Sequence, residues 1–230
     1  IGTASPATRL DLVAGNFNLD KTTYANLYGV ITKGGSRFIH DFNYGNNGTV
    51  TTEGANTFVG INAGNFTMGS TATVSSQASY NTAVGNGSLY NNTTGYFNSA
   101  LGSASLSSNT TGSSNSAVGR LSLYSNTTGS NNSAFGYISL YSNTTGSYNS
   151  ALGSSTLYSN TTGSYNSALG LNSGRYLADG STARTTGDYG LYLGANTKAS
   201  ADGTNNEIVI GSNAIGAGSN KAVIGNSSIT

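Results

Sequence analysis

The chain has 230 residues, a net charge of +1, no cysteine and only 7% charged side chains, against about 25% in a typical soluble protein. It has neither a basic cluster nor an apolar run of about 20 residues, which excludes phosphate-driven nucleic-acid binding and membrane insertion as partners. Without cysteine there is no disulfide and no thiolate chemistry.

Four stretches follow one another. Residues 1–53 carry half of the acids together with Lys21, Lys33, Arg37 and the single histidine, His40. Alternation in Arg9-Leu10-Asp11-Leu12-Val13 and Phe38-Ile39-His40-Asp41-Phe42 predicts short strands in an irregular β segment. Residues 54–80 hold a loose first copy of a motif, Asn56-Thr57-Phe58-Val59-Gly60, and then an insertion up to Tyr80.

Residues 81–170 repeat every 17 residues on Asn-x-Ala-apolar-Gly, with starts at Asn81, Asn98, Asn115, Asn132, Asn149 and Asn166. Three other columns keep the same register: the series from Leu89 to Leu157, from Asn92 to Asn160 and from Gly95 to Gly163. Residues 171–230 start with a charged excursion, Arg175 to Gly187. The motif then resumes at Glu207-Ile208-Val209-Ile210-Gly211 and Lys221-Ala222-Val223-Ile224-Gly225, whose glycines are 14 apart. Three residues are lost there without loss of the motif. The Asn-Thr-Thr-Gly turn is the expected place to lose them, as a loop outside the packed coil.

A fixed period of this size means one small unit stacked on itself. Gly, Asn, Ser and Thr disfavour helix, and the recurring apolar columns argue against disorder. The fold class is therefore all-β: a parallel β-solenoid, or β-roll, of 14–17-residue rungs. Each rung is expected to hold two short strands, Ala-apolar before Gly and Ser-Leu-Tyr after it, separated by two turns. Asn columns are expected to ladder along the axis. An Ala, one larger aliphatic residue (Val84, Leu101, Val118, Phe135, Leu152, Leu169) and a Leu make a lean core per rung. Packing of coils about a common axis, as a homotrimer, is the expected remedy. The Ala column either allows close approach at that interface or fits a narrow coil.

The 14-residue beat resembles the head repeats of trimeric autotransporter adhesins, which are left-handed parallel β-rolls with three chains to a head. The 17-residue form with Leu-Tyr-Ser-Asn-Thr-Thr-Gly, and the opening Ile1-Gly2-Thr3-Ala4-Ser5-Pro6, resemble phage tail fibres and bacterial "tail fiber domain" surface proteins. This resemblance covers roughly residues 54–230 and the first few residues. It implies a shaft on a virion or cell surface that contacts further fibre or baseplate subunits and a host glycan or protein. The start at Ile1, with Met68 as the sole methionine, reads as a segment of something longer.

Enzyme chemistry has little support. The acids avoid the array; Asp179, Asp188, Asp202 and Glu207 could meet in space as a glycosidase pair, but such residues more often sit in solvated loops. His40 beside Asp41 reads as a packed or solvated histidine. No Asp or His recurs at the period, so no metal and no cofactor are expected. Recognition falls instead to the tyrosines and the excursion. Tyr90, Tyr124, Tyr141 and Tyr158 share a column, with Ser107 interrupting it, and Tyr96, Tyr148 and Tyr165 precede the motif Asn. These rings either stack on carbohydrate or cover the core and a chain–chain seam. Arg175, Asp179, Arg184 and Asp188 mark the excursion as a second recognition surface. The Asn-Thr-Thr steps also match the N-glycosylation acceptor, although turn propensity alone accounts for them. A structural shaft, a glycan-binding adhesin and a polysaccharide depolymerase are the three functions in play, in that order.

Overall fold

The computed structural model describes residues 31–42 and 44–226, and the strand expected near Arg9–Val13 lies outside them. Within the described residues all regular structure is β, in one sheet of 12 strands arranged in chain order. Strands β1 (Ile31–Lys33) and β2 (Ser36–His40) form an antiparallel hairpin. Gly34 and Gly35 turn it with φ of 58° and 78°, as a tight two-residue hairpin turn requires.

Strand β2 pairs antiparallel with β3 (Thr57–Val59), and every later pairing is parallel. The later strands are β4 (Thr82–Val84), β5 (Ser99–Leu101), β6 (Ser116–Val118), β7 (Ser133–Phe135), β8 (Ser150–Leu152), β9 (Ser167–Leu169), β10 (Leu191–Leu193), β11 (Ile208–Ile210) and β12 (Ala222–Ile224). From β4 to β9 each residue pairs with the one 17 positions on, such as Ala100 with Ala117. The step is 14 between β11 and β12. The parallel β-solenoid is thus the observed fold.

Each rung has one strand, not two. The Ser-Leu-Tyr stretch bonds rung to rung, as in Leu106 N–H to Ser122 O at 3.0 Å, but it is not extended. Leu89, Leu106, Leu123, Leu140 and Leu157 sit at φ of 48–50°. That left-handed conformation costs a leucine roughly 1–2 kcal/mol, and it turns the side chain into the coil, where all five are fully buried.

The core differs from expectation in one column. The strand Ala residues point inward and are 0–5% exposed, so Ala fits a narrow coil. The larger aliphatic three positions after the motif Asn points outward: Leu101 is 51% exposed and Leu152 52%. Alternation along a strand forces this, because neighbours of an inward Ala must face away. The interior is closed instead by two asparagine columns.

In the first, Asn98, Asn115, Asn132, Asn149 and Asn166 each donate from Nδ2 to the Oδ1 of the preceding Asn at 3.1–3.2 Å. In the second, Asn109, Asn126, Asn143 and Asn160 do the same at 2.7–3.0 Å. All these side chains are fully buried. The turn asparagine is therefore core and not a loop outside it, although the three residues lost before β12 do come from this turn: with Ser219 beside Asn205 and Asn220 beside Asn206, Gly218 alone stands where the previous rung has Ala201–Thr204.

At both ends of the array, volume is exchanged between columns. Phe58 replaces the strand Ala, and Gly64 replaces the Leu. A side chain at Gly64 would meet the Phe58 ring at 2.8 Å. Likewise, a side chain at Gly174 would meet Leu157 at 2.9 Å and Tyr192 at 3.0 Å. A close-packed interior tolerates a large residue only where a neighbour gives up the volume.

Candidate functional site

Two aromatic columns run along the outside. In the first, Tyr124, Tyr141 and Tyr158 stack with centroids 5.3 and 5.1 Å apart and planes within 8°. Arg175 holds the same column one rung on and lays its guanidinium 4.3 Å over the Tyr158 ring, while its NH1 donates to Asn172 Oδ1 at 3.1 Å. Tyr90 occupies the column two rungs before Tyr124 and is 45% exposed.

The second column holds Tyr80, Phe97, Ser114, Asn131, Tyr148, Tyr165 and Tyr189, all at φ of 55–60°. Phe97, not Tyr96, takes this place, because Asn98 follows Phe97. Tyr80 stacks on Phe97 at 5.0 Å, and Tyr148, Tyr165 and Tyr189 stack at 4.9 Å. Stacking covers ring faces and leaves edges and phenol oxygens outward. The interior of a ladder therefore offers no face to a sugar; only its interruptions and ends do.

The excursion is a folded loop. Tyr176 bridges Ala183, and Leu177 N–H bonds Thr182 O at 2.9 Å. Asp179 closes its tip by accepting from Ser181 N at 2.9 Å, Thr182 N at 2.8 Å and the Thr182 hydroxyl. Those bonds, that from the Thr182 hydroxyl above all, lower its pKa to about 2. Asp188 accepts from Ser164 N at 2.7 Å, so it ties a turn to the array. Asp202 accepts from Thr185 N and Oγ1 and from Thr186 N at 2.6–2.9 Å. Partial burial works against its charge, and these bonds outweigh it, leaving its pKa lowered. These three carboxylates are used one by one to hold backbone. Among the described residues no group of three or more His, Asp or Glu side chains is placed to hold a metal.

Arg184 corrects the sequence expectation: it is not on a recognition surface but fully buried. It stands in the second asparagine column after Asn160, and its NH2 crosses the core to Asn166 Oδ1 at 3.1 Å and Gly187 O at 2.9 Å. The guanidinium lies 5.1 Å from the Tyr192 ring centre. The broken ladder leaves Asn160 Oδ1, and Nε and NH1 of Arg184, without partners.

Glu207 likewise replaces the motif Asn and is fully buried. Its carboxylate accepts from Gly218 N at 2.8 Å, Thr204 Oγ1 at 3.1 Å and Tyr192 Oη at 3.3 Å. It thereby caps the corner from which three residues are missing. Burial pushes the Tyr192 phenol up to about 12; Arg184 opposes the shift, and the Glu207 charge and hydrogen bond add to it. Neither buried charge is legible in the sequence, because both read as loop residues until the rungs are superposed.

His40 is packed, its Nε2 2.9 Å from Ala63 O and its ring 4.9 Å from those of Phe58 and Phe66.

The third outward column is aliphatic: Val84, Leu101, Val118, Phe135, Leu152, Leu169, Leu193, Ile210 and Ile224. It runs along the sheet beside a column that is Ser or Thr from Thr82 to Ser167 and then Leu191, Ile208 and Ala222. Phe135, Leu152, Leu169 and Leu193 line a shallow groove of about 310 Å³ with Ser133, Ser150 and Ser167. Comparison with family models, with curated proteins and with solved structures returns no match.

Proposed function

We propose that the chain is the structural shaft of an extracellular or virion fibre, resembling a phage tail fibre, and that three copies pack side by side along their axes. The observation that carries this reading is the aliphatic column. It is continuous over nine rungs, parallel to the solenoid axis and free of charge. Apolar surface of that extent on one face is what a chain–chain seam needs. Completing the burial of a half-exposed leucine gains about 1 kcal/mol, and the repeat multiplies that gain.

A rod of this kind works mechanically. The ten parallel strands span about 43 Å at about 4.8 Å per step. Backbone ladders join every rung to the next, and two asparagine ladders, from Asn81 to Asn166 and from Asn92 to Asn160, reinforce the array. Such a column holds whatever is attached at its ends at a fixed distance, on the surface of a virion or a cell.

Sedimentation equilibrium of the purified chain tests the reading. The expected result is a species of three times 23.2 kDa, with rods in negative stain. Leu152→Asp with Leu169→Asp should give a folded monomer. A folded monomer of the unaltered chain at about 50 μM would overturn the reading, since an obligate seam has a dissociation constant far below that.

A further inference from the structure

Rung 98–114 has no aromatic residue, and it interrupts the first tyrosine column by a single position. Ser107 stands between Tyr90 and Tyr124. One face of Tyr124 is covered by Tyr141, and Ser107 is too short to cover the other. Tyr90 is 45% exposed, and Tyr124 is half-buried.

The width of the notch is set by the backbone. Asn91 N–H bonds Ser107 O at 3.0 Å, and Ser108 N–H bonds Tyr124 O at 3.1 Å. Asn91 Nδ2 also donates to Ser107 O at 3.0 Å. Two steps of about 4.8 Å therefore separate the two tyrosine positions by about 9.6 Å. Carbon contacts of about 3.5–4.0 Å on each side use about 7–8 Å of that span. A planar ring would leave about 2 Å of it empty. A pyranose chair is thicker, because its carbons alternate between two levels and carry hydrogens on both faces.

We propose that this notch binds one neutral hexopyranose residue of a glycan, clamped between the faces of Tyr90 and Tyr124 over Ser107. Neutrality follows from the surroundings: between Glu53 and Arg175 the only charged residue is Arg120, and Ser107, Ser108 and Asn91 offer hydroxyl and amide groups to sugar hydroxyls. The proposal is independent of the shaft reading and of how many chains the rod contains.

The test is titration of the full chain, isotopically labelled at tyrosine, with cellohexaose, maltohexaose and β-1,4-galactohexaose. A glucuronic-acid hexamer and p-cresol serve as charged and planar probes. At least one neutral hexaose should shift the ring resonances of Tyr90 and Tyr124. Ser107→Tyr, which supplies the residue found at this place in four other rungs, should preserve the fold and weaken binding at least about tenfold. Tyr141→Ser should open a second notch between Tyr124 and Tyr158 and raise the stoichiometry from one to two. No shift with any neutral hexaose would overturn the proposal. So would binding that survives Ser107→Tyr, or binding by p-cresol or the acidic hexamer alone.

Discussion

Removing one asparagine from the middle of a ladder gives the sharpest test of what holds the coil together. Asn132 makes four side-chain hydrogen bonds. Its Nδ2 donates to Asn115 Oδ1 at 3.2 Å and to Gly146 O at 2.8 Å. Its Oδ1 accepts from Asn149 N at 3.0 Å and Asn149 Nδ2 at 3.1 Å. In Asn132→Ala most of the partners keep another bond: Gly146 O retains Asn143 Nδ2, Asn149 Nδ2 retains Gly163 O, and Asn115 Oδ1 retains the backbone N–H of residue 132. The Asn149 backbone N–H loses its acceptor and stays buried. Neutral hydrogen bonds contribute about 1 kcal/mol each, and an orphaned buried donor costs about 1–3 kcal/mol. With overlap between these terms, the expected loss is about 4 kcal/mol. Urea unfolding followed by circular dichroism measures it, with exposed Thr128→Ala as the control, which should shift stability by less than about 0.5 kcal/mol. A loss below about 1 kcal/mol for Asn132→Ala would refute the claim that buried amide ladders, and not the lean apolar core, carry the stability of each rung.

Gly102→Ala should destabilise the coil by at least about 3 kcal/mol, because its Cβ would lie 2.5 Å from the Gly119 carbonyl oxygen at φ of 140°; thermal melts of the purified variant measure this. The raised Tyr192 pKa makes its stabilising contribution complete below pH 10 and lost as pH rises through about 12, so Tyr192→Phe should move the alkaline unfolding midpoint upward, read by tyrosinate absorbance together with circular dichroism. The sign is opposite at Asp179. Its folded pKa is lowered from 3.8 to about 2, so what it contributes is present above pH 3.8 and fades as pH falls through 2. Hydrogen exchange of the Ser181 and Thr182 amides should accelerate over that window, and Asp179→Asn should remove the pH dependence.

The period alone determined the fold class. Seventeen residues rich in Gly, Asn, Ser and Thr, with Leu and Ala in fixed columns, leave a stacked β-coil as the arrangement that aligns every column, and the asparagine ladders follow from that alignment. The excursion and the shortened C-terminal rung were also legible, because an insertion or deletion shows against a strict period. Three things were decided only in three dimensions. Leu106 and its equivalents look like strand residues, but closing a coil this narrow needs a left-handed corner, and burying the leucine there outweighs the backbone cost. Val84 and its equivalents through Leu169 look like core, yet the inward Ala on the same three-residue strand fixes them outward. Arg184 and Glu207 look like solvated loop charges. Both stand where a ladder asparagine is missing, and only superposed rungs show that each fills a place in the core. Sequence carries the columns; which way each column faces depends on backbone torsions and on the volume its neighbours leave.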